Sequence, residues 1–368
     1  MNENILISSL TTMRLGGPAR YVLEVESTRD IKDAYGFART MKLPTFILGF
    51  GANTIGHDEG FNGVIIINRM RGMFEEPIAN GLRLKVMGGE YWDHVVEYAV
   101  SKGLTGIEGL SKIPGLAGAA PVQNIGAYGQ QISDVLTEIE VYDIEADEFK
   151  ILTRDELGFS YRHSILNTTM TGRYFVVSIT LELHVGVMPR PFYTSIENYM
   201  ADHNLTDFSP AGIRAVVSAI RADKLPDPSE KASSGSFFKN IYLSEPESEV
   251  ASNRGIPIRK GLDGIKINSA WLLEQCNLPG KSFYGFRVNK KAPLVLINES
   301  SESYADLDRA RAEIVSKVYD KFGYWLEQEP IEIPTGKSQS SLSFTNNGQT
   351  NPNFGSHNQP SSNPAGVR

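Results

Sequence analysis

Thr45-Phe46-Ile47-Leu48-Gly49-Phe50-Gly51-Ala52-Asn53 is where the fold class is decided. A short, mostly apolar run ends abruptly on alternating glycines, which reads as a strand passing straight into a tight loop. Main-chain N–H groups in such a loop can curl round a phosphate that a larger side chain would obstruct. The same turn also serves as a plain connection, and it lacks the helix and second-strand acid of the dinucleotide fingerprint. Upstream, Tyr21-Val22-Leu23-Glu24-Val25 has strand character, and Ile31, Ala34, Tyr35, Ala38 and Met41 recur at helical spacing. Downstream, Val64-Ile65-Ile66-Ile67 is wholly β-branched, so strands and amphipathic helices are mixed from the start.

Farther along, Leu82-Arg83-Leu84-Lys85-Val86 predicts a strand and Tyr91 to Lys102 a helix ended by Gly103. Glu138 to Thr153 predicts a hairpin about Glu145-Ala146-Asp147-Glu148, and Tyr174 to Leu183 one more strand. The pattern lapses between residues 186 and 208, around Pro189-Arg190-Pro191, which suggests a domain boundary. Ser209-Pro210 then opens a helix with an N-cap and a first-turn proline, and Ile213, Val216, Val217 and Ile220 form its apolar stripe. Lys266 to Cys276, a strand at Pro293 to Ile297, and a helix carrying Leu307, Ala310, Ile314, Val318 and Phe322 up to Gly323 give the second half its own core. The chain reads as α/β or α+β rather than all-α. Its expected units are 1–66, 67–200 and 201–333, followed by a disordered polar tail over 334–368, whose Ser, Asn, Gln, Gly and Pro cannot offset the entropy of ordering.

The 368 residues, 41% of them hydrophobic, suffice for more than one core. Against 36 Lys+Arg stand 43 Asp+Glu, a net charge of -7, which disfavours nucleic acid and anionic membrane as partners and obliges any anionic ligand to find a local basic cluster. Cys276 is the single cysteine, so neither an internal disulfide nor a thiolate-built metal site is available, and no metal is expected. It follows Trp271, Leu272 and Leu273 and is expected as a buried structural thiol. No apolar run approaches the roughly 18 residues that span a bilayer, and the polar Met1-Asn2-Glu3-Asn4 start is no signal peptide, so a cytoplasmic protein without membrane insertion is expected.

Ile113-Pro114-Gly115-Leu116-Ala117-Gly118-Ala119-Ala120-Pro121-Val122-Gln123-Asn124-Ile125-Gly126-Ala127-Tyr128-Gly129 is the richest segment. Its small residues let the backbone close on a flat ligand while Gln123 and Asn124 offer amides; a sharply bent structural loop is the alternative. With Thr11-Thr12-Met13-Arg14-Leu15-Gly16-Gly17, the 49–53 turn, Tyr161-Arg162, Gly235-Ser236-Phe237-Phe238-Lys239-Asn240 and Leu326-Glu327-Gln328-Glu329, the chain resembles the UDP-N-acetylenolpyruvoylglucosamine reductase (MurB) family over roughly residues 5–333. Leu225-Pro226-Asp227-Pro228 and the Tyr193 segment resemble its longer-insert subclass.

The resemblance implies a two-part FAD-binding domain of the PCMH/VAO type followed by a smaller α+β substrate-binding domain. It implies non-covalent FAD, with NADPH as reductant, and a nucleotide-sugar substrate whose enolpyruvyl ether is reduced to a lactyl ether. Flavin contacts carried over from the family are Thr12, Gly49, Gly51, Ala52, Asn53, Ile113, Pro114, Gly115, Gln123, Asn124 and Gly126. Arg162 and Glu329 match the pair that manages the developing enolate, and Ser236 the proton donor, for which Lys224, Lys239 and Asn240 could stabilise the alkoxide. Tyr161, Tyr193, Lys224, Lys239 and Asn240 are the substrate contacts it implies, with Lys290 and Lys291 as further candidates. Taken singly, Arg162 would be read as a surface arginine, Glu329 as a solvated acid and Ser236 as a turn serine.

Three departures stand out. Phe50 and Ala52 occupy positions where the family has small and hydroxyl-bearing residues, and a left-handed Phe50 would cost about 1–2 kcal/mol. Leu116-Ala117 replaces Thr-Val, and Gln328 replaces a proline between the two glutamates. An oxidase of the same superfamily acting on another sugar or alcohol, and a flavin-binding protein without catalysis, remain the other readings.

Overall fold

The computed structural model describes residues 1–261 and 264–335; the tail expected from 334 onward lies outside the described residues but for its first two. The chain opens with strands β1 (Asn2–Leu6) and β2 (Pro18–Val25), helix α1 (Thr28–Met41), β3 (Thr45–Leu48), β4 (Thr54–Ile55) and β5 (Phe61–Asn68). The first sheet has the order β1-β2-β5-β3, with β5 parallel to both neighbours. Ser27 caps α1 by accepting from Asp30 N–H, and Ile31, Ala34, Tyr35 and Ala38 are its buried face, the stripe read from the spacing.

Next come β6 (Met73–Ile78), β7 (Gly81–Met87), α2 (Trp92–Ser101), β8 (Leu104–Thr105), the short β9 (Gly126–Ala127) and β10 (Gln130–Gln131), β11 (Leu136–Asp143), β12 (Glu148–Thr153) and β13 (Tyr174–Val185). They build an antiparallel six-stranded sheet in the order β12-β11-β13-β7-β6, with β8 beside β13. One face packs on α2 through Leu84, Val86, Trp92, Val95 and Val96. From its other face Tyr142, Phe175 and Val177 meet Ile31, Tyr35 and Val64, so the two sheets share a core across α1.

After β13 the structure departs from the sequence reading. The 186–208 segment is not irregular: it contains α3 (Thr194–Asp202), which buries Ile196 and Met200 on α4 (Pro210–Lys224). The boundary expected at residue 200 therefore falls inside α3. Moreover, α4 is clamped to α2, because Arg214 makes a two-pronged ion pair with Asp93 at 2.7 and 3.1 Å. Asp93, though burial opposes its charge, is held well below the usual carboxylate range by Arg214 and Lys112.

The last unit comprises β14 (Ile241–Leu243), α5 (Glu245–Asn253), β15 (Ile258–Gly261), β16 (Gly264–Ile267), α6 (Ser269–Gln275), β17 (Ser282–Phe283), β18 (Phe286–Val288), β19 (Leu296–Asn298), α7 (Tyr304–Phe322) and β20 (Ile331–Glu332). The strand expected at 293–297 begins three residues later. Phe237, Phe238, Leu272, Phe286, Leu307 and Ile314 form its core, and Met13, Leu15 and Ile55 from the first unit complete it. Cys276 is not buried: it ends α6 and is part-exposed, with Sγ 3.5 Å from Lys317 O. β20 runs back to pair with β4, and that crossing creates the site.

Candidate active site

Ser160-Tyr161-Arg162-His163 is a two-residue turn closed by reciprocal hydrogen bonds of 3.1 Å between Ser160 and His163. Arg162 takes φ of 56°, a conformation that costs a side-chain-bearing residue about 1–2 kcal/mol. Two amides hold the turn: Asn124 Nδ2 donates to Ser160 O at 3.2 Å and Asn167 Nδ2 to Arg162 O at 3.0 Å. Arg162 thereby faces Glu329, with Nε 2.8 Å from Oε1, and its Nη1 donates to Gly126 O at 3.3 Å. The Nε atom is shielded and its contact with Glu329 is an ion pair without hydrogen-bond alignment. Burial pushes the Glu329 carboxyl up from its ordinary value while Arg162 opposes it. An acid held between those two influences is suited to exchanging a proton with an enolate.

Glu329 is reached from three directions. Its N–H donates to Phe237 O at 2.9 Å and its C=O accepts from Gln123 Nε2 at 3.2 Å. Two residues on, Ile331 N–H donates to Asn53 O at 2.9 Å. The main chain at 329–331 is therefore tied to the serine loop, the small-residue loop and the glycine turn. Ser236 lies between Gly235, at φ 74°, and the fully buried Phe237. It pairs across to Val295, and its hydroxyl makes no hydrogen bond among the described residues.

In the 49–53 turn, Gly51 takes φ of 71° and a Cβ there would stand 2.1 Å from Leu10 O, so only glycine fits. Phe50 is not left-handed, and the strain feared for it is absent; its ring is part-exposed, edge-on to Tyr91 at 5.9 Å. Thr12 fastens the turn to the serine loop, its N–H donating to Gly51 O at 3.0 Å and its Oγ1 to Ser233 O at 2.6 Å. Among the described residues the N–H groups of Phe50, Gly51, Ala52 and Asn53 make no hydrogen bond, which leaves a nest of donors at the mouth of a cleft. This fits the diphosphate of an FAD. Pro114 shares the cleft wall with Ala52, and Ile113 is tucked against the core of the six-stranded sheet. Gly49 packs on Ala119 with room for ordinary contact, Gly115 O accepts from Trp92 N–H, and Gly126 is engaged by Arg162.

Some expected contacts are spoken for. Asn124 is buried and spends its amide on Gln131, Ser160 and Ser133, so its role visible here is to brace the arginine turn. Asn240 donates to Tyr161 Oη and accepts from Ser269 N–H, holding Tyr161 against Tyr242 at 4.5 Å. Lys239 pairs with Glu327 at 2.6 Å. Tyr193 is half-exposed, edge-on to Tyr128 at 6.0 Å.

The cleft, of about 870 Å³, runs from Ala52 and Pro114 past Ser233 and Gly235 to Lys224, Lys290 and Lys291. Lys291 pairs with Asp223, and Lys224 O accepts from Asn289. The sequence reading missed Arg221 on this wall. Its guanidinium meets Tyr128, while its Nε is shielded and unpartnered. The signal was there: Ile213, Val217 and Arg221 are spaced by four, so the cation lies on the buried stripe of α4. A second groove of about 590 Å³, between Thr105, Arg154 and His184, shares no residue with this site.

Residues 19–149 match the model of an FAD binding domain, and residues 227–333 that of the UDP-N-acetylenolpyruvoylglucosamine reductase C-terminal domain. The UDP-N-acetylenolpyruvoylglucosamine reductase of Pasteurella multocida (strain Pm70) is 33% identical over 86% of this chain and 93% of its own length. That of Vibrio parahaemolyticus serotype O3:K6 (strain RIMD 2210633) is 31% identical over 89% and 94%. Among solved structures, the enzyme of the same name from Thermus caldophilus superposes with a TM-score of 0.61 at 24% identity, covering 90% of this chain and 98% of the other, and so shares the fold.

Proposed function

This chain belongs to the UDP-N-acetylenolpyruvoylglucosamine reductase family of FAD-dependent oxidoreductases, and on that premise we propose that it reduces the enolpyruvyl ether of a UDP-N-acetylglucosamine to UDP-N-acetylmuramate with NADPH as electron source. The observation that carries this reading is the part-buried Arg162–Glu329 pair, whose acid lies on a segment bonded to the Ser236 loop, the Gln123 loop and the glycine turn at once.

The free N–H groups of residues 50–53 and the loop at 113–126 would hold FAD, which would supply hydride chemistry at the enolpyruvyl C3. The chain's residues then manage the charge this leaves on C2 and its carboxylate. Arg162 offers a planar fork in a site from which water is largely shut out, and Glu329 sits against the same group. The Ser236 hydroxyl gives its proton to C2, completing the lactyl ether. A serine is a weak acid, so the step relies on Arg162 and Lys224 to favour the alkoxide; Lys239 contributes less, because Glu327 neutralises it. Arg221, Lys224 and Lys290 form the basic cluster that a net charge of -7 requires for a nucleotide diphosphate. The setting is peptidoglycan precursor synthesis in the cytoplasm; among the described residues no helix is long and apolar enough to cross a membrane.

The test is the visible spectrum of the purified protein. Flavin absorbance bleached by NADPH and restored in proportion to the enolpyruvyl nucleotide added supports the reading. Restoration by oxygen with simple sugars as electron donors would replace it with an oxidase, and a protein that stays colourless in FAD would refute both.

A further inference from the structure

The residue preceding Glu329 is as heavily engaged as the acid itself. Gln328 Oε1 accepts from Arg311 Nη1 at 2.6 Å, and its Nε2 donates to Pro330 O at 2.9 Å and to Glu332 Oε1 at 3.2 Å. The amide thus bridges from one side of Glu329 to the other. Arg311 closes the loop by donating to Glu332 Oε1 at 2.8 Å, and His57 Nε2 lies 3.1 Å from the other carboxylate oxygen, its ring 3.8 Å from that of Tyr304. Arg311 and Tyr304 both belong to α7, whose first turn is held by Asp58, accepting from Tyr304 N–H at 2.6 Å. The anchor is therefore a long helix fixed to the segment that follows β4.

We propose that Gln328 is a positioning residue for Glu329: its amide, gripped by Arg311 and Glu332, fixes the torsions on either side of the acid and holds the carboxyl at Arg162. This rests on Glu329 acting on substrate as argued above. The physical need is plain. The main-chain bonds of Glu329 locate its backbone but not its carboxyl, and a displacement of about 1 Å at a reacting group costs on the order of a hundredfold in rate. Support of this kind belongs to groups whose rotamers must be locked.

The geometry also offers a rescue. The pairing of Phe238 with Gln328 runs through Lys239 N–H to Glu327 O and Glu329 N–H to Phe237 O, so neither bond uses the Gln328 N–H. A proline at this position breaks no bond of that pairing and restrains φ by its ring instead.

Three forms of the FAD-loaded protein are compared: parent, Gln328→Ala and Gln328→Pro. With Gln328→Ala, flavin reduction by NADPH and the nucleotide Kd, read from the flavin spectrum, are expected to stay within about twofold, while reoxidation by the enolpyruvyl nucleotide slows about tenfold. Amide exchange over residues 326–333, followed by mass spectrometry, is expected to quicken in Gln328→Ala, and Gln328→Pro to recover most of both effects. Equal loss in both half-reactions, unchanged reoxidation in Gln328→Ala, or a folded Gln328→Pro no better than Gln328→Ala would each overturn the proposal. A parent protein that the nucleotide does not reoxidise would refute the functional reading instead. The exchange arm would then still decide the brace, supporting it if Gln328→Ala is loosened and Gln328→Pro is not, and overturning it otherwise.

Discussion

Single atoms carry the chemistry, and the sharpest expectations lie with them. Ser236→Ala should leave flavin bleaching by NADPH nearly intact and slow reoxidation by the nucleotide by about 10²–10⁴-fold, as removal of a proton donor does; rapid-mixing absorbance separates the two steps. Equal slowing of both would remove Ser236 from the role. Arg221→Met should raise the nucleotide KM about tenfold or more with little change in flavin content, because it removes a largely shielded cation with an unpartnered Nε from the cleft wall. Steady-state kinetics with parallel flavin quantification checks it. Arg221 also shows where residue-by-residue reading fails: as a letter it is one of 36 basic residues, and only its register with Ile213 and Val217 marks it as inward-facing.

At the scale of elements, the stripes of α1, α4 and α7 and the cap of α4 were legible, because apolar residues recur at helical spacing and Ser209 precedes a first-turn proline. Helix α3 was not, since only Ile196 and Met200 of its residues are buried, too few to set a period against the flanking prolines. The short strand β20 was equally opaque: two residues have no pattern, and its pairing with β4 is a tertiary event. Glu332 on β20 gives the element a pH signature. Although burial opposes its charge, His57, Arg311 and Gln328 draw its pKa from 4.5 down to about 2. A depressed acid stabilises the fold above its unfolded value and loses that contribution as pH falls from 4.5 through about 2. Glu332→Gln should therefore flatten the acid limb of a stability curve in that window, by on the order of 2–3 kcal/mol, in denaturant titrations at stepped pH.

For the whole molecule, the chain divides less cleanly than its family segments suggest. The core around Phe237, Phe286 and Ile314 incorporates Met13, Leu15 and Ile55, all fully buried. Loss of each large apolar side chain from a core costs about 2–5 kcal/mol, and three together approach the entire stability of a domain. A fragment of residues 227–335 is expected to lack near-ultraviolet circular dichroism and a cooperative thermal transition. A fragment that melts cooperatively would show that the third unit folds without the first. The expected boundary at 200 lies within α3, whose partner α4 is tied to α2 by Arg214 and Asp93, 121 positions apart, and no composition shift announces such a contact.

Local periodicity and turn chemistry, with the resemblance of the glycine turn, the 113–129 segment and the flanks of Arg162, Ser236 and Glu329, were enough by themselves to establish the α+β class, the family and the cofactor. Those features are written in neighbouring residues, where steric preference and burial act directly. What only the tertiary structure decided is which groups meet: Arg162 with Glu329, Gln328 with Arg311, Thr12 with Ser233, and Asn124 with Ser160. The reason is that hydrogen bonds and ion pairs act over a few ångströms while these partners are separated along the chain by up to 221 residues, so their chemistry exists only after the three cores have closed.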